Sequence, residues 1–229
     1  PASMSPTPAL DLDQSVRQAD PDRWLASRFI EDARARANVI ALYAFDQELA
    51  RAPLIASEPL LAEIRLAWWS EALDEITEGR PVRAHPVAQA LAVAMEHGGL
   101  DRAPLDRLIR AREQDARGAP FADEGELFAY LDDTCGVLMQ SAAALLGAPG
   151  QPVAVQAAGR AWGLAKARRL IAPERLPAGL SPERTRRLAQ EALSAARTAL
   201  RSLPVPAFPA VAYACLASAY ARGRNPALM

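Results

Sequence analysis

Lysine is almost missing from this sequence: of 26 basic residues only Lys166 is not an arginine, a bias that supports no functional assignment by itself. Cysteine is nearly as scarce. Cys135 and Cys215 each lie in an apolar helical pattern with no His or Cys at ligand spacing, which excludes a disulfide framework and a cysteine-built metal centre. Both are expected to be small core residues. No apolar run reaches the roughly 20 residues that span a bilayer, and the first residues lack the basic-then-apolar plan of a signal peptide, so a cytoplasmic location is expected. Strand-like alternation is absent as well. The net charge is only −1, and no nucleic-acid partner is expected.

What remains is the composition of a globular protein, 51% hydrophobic and 23% charged. Residues 1–19 are polar, contain Pro6 and Pro8, and read as a flexible N-terminal arm; a single domain is expected over 20–229. From Asp20 onward, apolar residues recur at helical spacing between Pro and Gly, which predicts an all-α fold of about eight or nine helices. They are placed at about 31–50, 58–78, 84–97, 102–117, 123–147, 152–170, 181–202 and 207–222. Pro53 should end the first of these and Ser57 should cap the second. The second should bury Leu61, Ile64 and Trp68 on one face, with Trp69, Leu73 and Ile76 beside it. Trp68 and Trp69 are assigned to the core because consecutive helical residues point about 100° apart and cannot form one wall. Charge is uneven along the chain: about −10 through residue 150 and +9 beyond it. Either the halves attract each other within one fold or the basic end meets an anionic partner.

Several local sequences stand in a recognisable order: Asp22-Arg23-Trp24-Leu25-Ala26-Ser27, Ala41-Leu42-Tyr43-Ala44-Phe45, Ser57-Glu58-Pro59, Arg65-Leu66-Ala67-Trp68-Trp69, His85-Pro86-Val87 and Ala111-Arg112-Glu113-Gln114-Asp115, followed by Tyr130 and Gly136. Together they resemble the squalene/phytoene synthase family. The resemblance implies an isoprenoid-synthase helical bundle around a central cavity, with Tyr43, Tyr130, Gly136 and Met139 as lining candidates. Enzymes of this family ionise prenyl diphosphates with Mg²⁺, a cation that takes oxygen ligands, and therefore carry aspartates four residues apart on facing helices.

Those aspartates are missing here. Aligned on Tyr43, the first motif's arginine position holds Gln47 and its aspartate positions hold Ala50 and Leu54. Asp46 and Glu48 remain, but two residues apart they point to different sides of a helix. The second motif's positions hold Gly163, Lys166, Arg169 and Leu170, so acids have given way to bases. Met139 stands where the enzymes tend to keep a glycine and would fill the cavity. No catalytic residue, metal ligand or cofactor is expected. Arg51, Lys166 and Arg169 are candidates for an anion site without metal.

Within the family, Ala41 through Ala50, Ser57-Glu58-Pro59 and Val205-Pro206-Ala207-Phe208-Pro209-Ala210 resemble the branch of squalene/phytoene synthase-like assembly factors of respiratory complex I. That branch implies a non-catalytic scaffold with respiratory-complex subunits or another protein as clients, cytoplasmic or peripheral at the inner face of an energy-transducing membrane. Two other readings stay open: a metal-independent binder of an anionic prenyl diphosphate or phospholipid, and a head-to-head prenyltransferase with altered motifs.

Overall fold

A computed structural model describes residues 11–56, 58–149 and 152–223, and every regular element among them is helical. The α-helices are α1 (Leu12–Ala19), α2 (Pro21–Ser27), α3 (Ala33–Ile55), α4 (Pro59–Thr77), α5 (Pro86–Gly98), α6 (Arg102–Arg117), α7 (Glu124–Leu131), α8 (Val137–Leu145), α9 (Pro152–Leu170), α10 (Pro182–Leu200), α11 (Phe208–Val211) and α12 (Ala217–Ala221). Their starts follow capping chemistry. Asp11, Asp20, Asp32 and Asp123 each accept a first-turn backbone N–H, and Pro21, Pro59 and Pro86 occupy the first turn, where the missing N–H has no intrahelical partner to lose. Gly99 and Gly118 end α5 and α6 in the left-handed conformation.

Two helices organise the core. Residues 38–46 of α3 are buried without interruption, as in a helix surrounded on all sides, and α1, α2, α4, α5, α6 and α8 pack around it. The second axis, α9, is embraced by α7, α8, α10 and α12. Trp162 of α9 is fully enclosed and makes edge contacts with Tyr213 and Tyr220, tying the C-terminal segment to the centre.

The structure departs from the sequence reading in several places. Residues 12–19, expected to be a loose arm, form α1, which packs on α3 and is latched by Trp24 Nε1 donating to Asp13 at 2.9 Å. Residues 1–10 of that arm and the expected cap Ser57 lie outside the described residues. Pro53 does not end α3 at once; it sits in the last turn, where its missing N–H removes one i→i−4 bond, and the helix runs only two residues further, to Ile55. The helix expected over 123–147 is interrupted by a π-turn, Asp132–Gly136, and that over 207–222 is broken into α11, a tighter 3₁₀ turn and α12. Cys135 is buried, but Cys215 is exposed and not a core residue.

The α4 face is also corrected. Its buried stripe is Ala62, Leu66, Trp69 and Leu73, whereas Leu61 and Ile64 are 43% and 55% exposed and Trp68 is half-buried. Two apolar stripes run along α4, so periodicity alone could not select the one facing α3. Trp69 makes the central contact, edge-on to Phe45 at 5.3 Å and to His85 at 5.0 Å. Trp68 instead lies under the Arg83 guanidinium, 4.8 Å from the ring centre.

Where the π-turn meets α9, the backbones nearly touch. A Cβ on Gly159 would stand 2.6 Å from Gly136 Cα and 2.7 Å from the Cys135 carbonyl oxygen, while one on Gly136 would meet nothing nearer than Gln156 Cγ at 3.4 Å. Gly159→Ala should therefore cost about 1–3 kcal/mol or more by overpacking against backbone that cannot yield, and Gly136→Ala should be almost silent. Trp69→Ala should cost about 3–5 kcal/mol and Trp68→Ala clearly less. Urea unfolding of the four variants checks both orderings, and equal losses within either pair would contradict the packing described.

Candidate functional site

The buried run of α3 ends on a charge, Asp46. Its Oδ2 accepts from Arg23 Nη1 of α2 at 3.1 Å and its Oδ1 from Arg112 Nη2 of α6 at 3.0 Å. Arg23 also pairs with Asp20 at 3.2 Å, and its guanidinium lies between the rings of Tyr43 and Tyr213, 5.7 and 5.5 Å from their centres. Arg112 continues the network to Asp115 Oδ2 at 3.0 Å, which also accepts the Tyr130 hydroxyl at 2.9 Å. Asp115 Oδ1 receives Arg175 Nη1 at 2.7 Å, and Arg175 Nε donates to the Ala119 carbonyl. Three aspartates thus alternate with three arginines in a charge-neutral line joining α2, α3, α6 and the segment after α9. The side chains of these six are 9–16% exposed.

Burial alone would push the Asp46 carboxyl up, but the Arg112 and Arg23 guanidiniums outweigh it and hold the group below its ordinary range. Asp46 is accordingly a carboxylate whose two oxygens are both committed to protein cations.

The family's Mg²⁺ does not fit this donor set. Gln47 and Ala50 are half-buried without a carboxylate, Leu54 is 81% exposed, and Glu48 turns away to pair with Arg51 at 3.4 Å. On α9 a side chain at Gly163 would start 2.8 Å from Leu131 Cδ2 and 3.2 Å from Cys135 Sγ, so the position is reserved for packing. Lys166 Nζ lies 3.8 Å from Asp22 and 4.4 Å from the Trp162 ring centre, and Leu170 is 60% exposed. Among the described residues, no group of three or more His, Cys, Asp or Glu is placed to hold a metal ion.

The anion candidates separate. Arg51 is exposed and joined to Glu48 on its own helix; Lys166 belongs to the interior pair with Asp22, whose other contact is the Tyr220 hydroxyl at 2.5 Å; Arg169 stacks on Tyr220, 5.1 Å from its ring centre. The cavity candidates are interior. Tyr43 packs under Arg23, Tyr130 holds Asp115, Gly136 forms the π-turn against α9, and Met139 is fully enclosed. Sequence reasoning passed over Arg23, Arg112, Asp115 and Arg175 as site residues. The first three stood in quoted landmarks, but an arginine 66 positions from its aspartate leaves no local signal.

The charge asymmetry has a structural outlet. Among the described residues beyond 150, all four ion pairs reach back into the acidic half: Arg160–Asp132, Lys166–Asp22, Arg175–Asp115 and Arg184–Glu124.

Asp46→Asn would leave Arg23 and Arg112 facing a neutral amide in the interior and should cost about 3–5 kcal/mol at pH 7. A carboxyl held lower in the folded state than in the unfolded chain adds stability above its unfolded value, near 3.9, and loses it as pH falls through the folded value. The gap between the parent and Asp46→Asn should therefore be full at pH 6–7 and shrink only below about pH 4. Urea titrations across that range measure it, and a gap that is small at pH 7 would contradict the network.

Comparison with known proteins agrees with this architecture. The chain is similar to the squalene synthase HpnC from Alicyclobacillus acidocaldarius, with a TM-score of 0.77 and 16% identity over 93% of this chain and 90% of that one. It is similar to a dehydrosqualene synthase solved with a ligand, with a TM-score of 0.73 and 18% identity over 91% and 82% of the two chains. At such identities the likeness shows the terpenoid-synthase-like helical fold. The curated relatives include NADH dehydrogenase (ubiquinone) complex I, assembly factor 6, of Bos taurus, 28% identical over 132 residues, and its Homo sapiens counterpart at 27%. Each match covers 58% of this chain, which spans 39% of the length of those relatives. The profile of the squalene/phytoene synthase family matches residues 16–174, well over half of the sequence, and the chain belongs to that family.

Proposed function

We propose that this chain is a non-catalytic member of its family that acts as a scaffold in the assembly of a respiratory complex, at the inner face of an energy-transducing membrane. The observation that carries this reading is the fate of Asp46: the surviving acid of the first motif region is spent on Arg23 and Arg112, and Ala50, Leu54 and Leu170 offer no metal ligand beside it. The relatives named as complex I assembly factors supply the kind of client. No described helix is long and apolar enough to cross a membrane, so in this reading any membrane contact is peripheral.

A scaffold needs a surface for its client. Leu54 and Ile55 at the end of α3 and Leu60, Leu61 and Ile64 at the start of α4 are between 43% and 81% exposed, and they gather large aliphatic side chains around one helical hairpin. Such concentration differs from scattered surface leucines and fits a protein contact.

The test is capture of membrane-solubilised partners from the native cell by the tagged chain. Complex I subunits or their assembly intermediates should be enriched, and Leu54→Glu with Leu60→Glu should remove them without changing the melting temperature, because both residues are mostly exposed. Recovery that contains no respiratory-complex subunit, or that is indifferent to the double variant, would contradict the proposed client contact.

A further inference from the structure

Away from the Asp46 network, the C-terminal end of α9, the first turns of α10 and the end of α12 frame an open pocket of about 250 Å³. Its wall carries Arg168, Arg169, Arg186 and Arg222, with Thr185 and Tyr220 between them. Arg51 and Lys166 are not part of it.

We propose that this pocket is a metal-independent site for a phosphate-bearing anion, held by the guanidiniums of Arg168, Arg169, Arg186 and Arg222. The first argument is charge. Among the described residues none of these four makes an ion pair, although Arg160, Lys166, Arg175 and Arg184 of the same half all do. Their contacts are with neutral groups: Arg168 Nη1 donates to the Leu180 carbonyl at 3.4 Å, Arg186 Nε to the Ala221 carbonyl at 3.2 Å, and Arg169 stacks on Tyr220. These contacts orient the guanidiniums of Arg168, Arg169 and Arg186 without pairing any of them to a carboxylate within ion-pair distance. Tyr220 is itself held by Asp22, so the platform beneath Arg169 is anchored to the core.

The second argument is helix polarity. Arg168 and Arg169 lie in the last turn of α9, where a cation complements the helix dipole, whereas Arg186 lies in the second turn of α10 and has no such support from its own helix. An anion among these guanidiniums relieves their mutual repulsion and meets the positive end of α10, while the carbonyl end of α9 opposes it and is offset by Arg168 and Arg169. Guanidiniums present paired N–H donors that match phosphate oxygens. Glu183 is the acid at the rim; its exposed carboxyl is hydrogen-bonded by its own backbone N–H and Ser181 and is stabilised further by Arg186 and Arg168, so it weakens the site without closing it.

The proposal is independent of the client reading. Pyrophosphate, added with EDTA at low salt, should raise the melting temperature by about 3–6 °C at tenfold its dissociation constant. The rise should fade as salt is added. Arg168→Gln with Arg186→Gln should lower the affinity about tenfold or more, with Arg222→Gln as a second variant at an exposed position should the first unfold. Glu183→Gln should tighten binding. Flotation with phosphatidylcholine vesicles with and without phosphatidic acid identifies the source. Binding only to the acidic vesicles, released by pyrophosphate, assigns a lipid head group; pyrophosphate binding without flotation assigns a free phosphate compound. No thermal shift and no flotation, or binding unchanged in the arginine variants, would overturn the site, whereas the client capture described above would be unaffected.

Discussion

A carboxylate in a protein interior can be satisfied by cations from only so many directions, and Asp46 already takes one guanidinium on each oxygen. Taking these charges out of water is expensive, and their mutual attraction repays the cost only when geometry is good and the line is closed by further partners. Here closure comes from Asp20 at one end and Asp115 with Arg175 at the other. The consequence reaches across the fold, because α2, α3, α6 and the segment following α9 must all be in place for the line to be neutral. At Asp46 the positive charge between the helices is supplied by arginines, and the line they complete ties these segments together.

The same logic explains how the acidic and basic halves of the chain pack against each other. Ion pairs from α9 and its sequel run back to the π-turn, α2, α6 and α7, so the second half closes over charges that the first half presents. The close passage of Gly159 over the π-turn brings the backbones together on the same side of α9 from which Arg160 reaches Asp132. What the pairing leaves over is a group of arginines where α9, α10 and α12 meet, and an aliphatic tip on the α3–α4 hairpin.

Much of this was legible in the sequence. Helical periodicity and Pro/Gly punctuation give the all-α class, and α6 and α9 fall at the expected bounds, because their ends are written in local chemistry. Other features depend on what lies opposite. The α4 sequence offers two apolar stripes, and only the position of Phe45 on α3 makes Trp69 the buried one and leaves Trp68 under Arg83. The π-turn has no signature in its own five residues; it is paired with Gly159, more than twenty positions away, a glycine that the spacing treats as helical filler. The loss of carboxylates at positions 50, 54 and 170 was readable directly, but the takeover of Asp46 by Arg23 and Arg112 was not, since those partners lie 23 and 66 positions away.

Whether Asp46 can still serve a metal is open to direct measurement. Mn²⁺ substitutes for Mg²⁺ at oxygen-ligand sites and is counted directly by paramagnetic resonance, so titrating it into the protein with a non-ionisable prenyl diphosphate analogue present is the most direct measurement. Weak, non-saturating uptake that is identical in the parent and in Asp46→Asn is the predicted result. Saturable binding of one or more Mn²⁺ per chain, lost in Asp46→Asn, would contradict the claim that both oxygens of Asp46 are committed to the protein's own arginines.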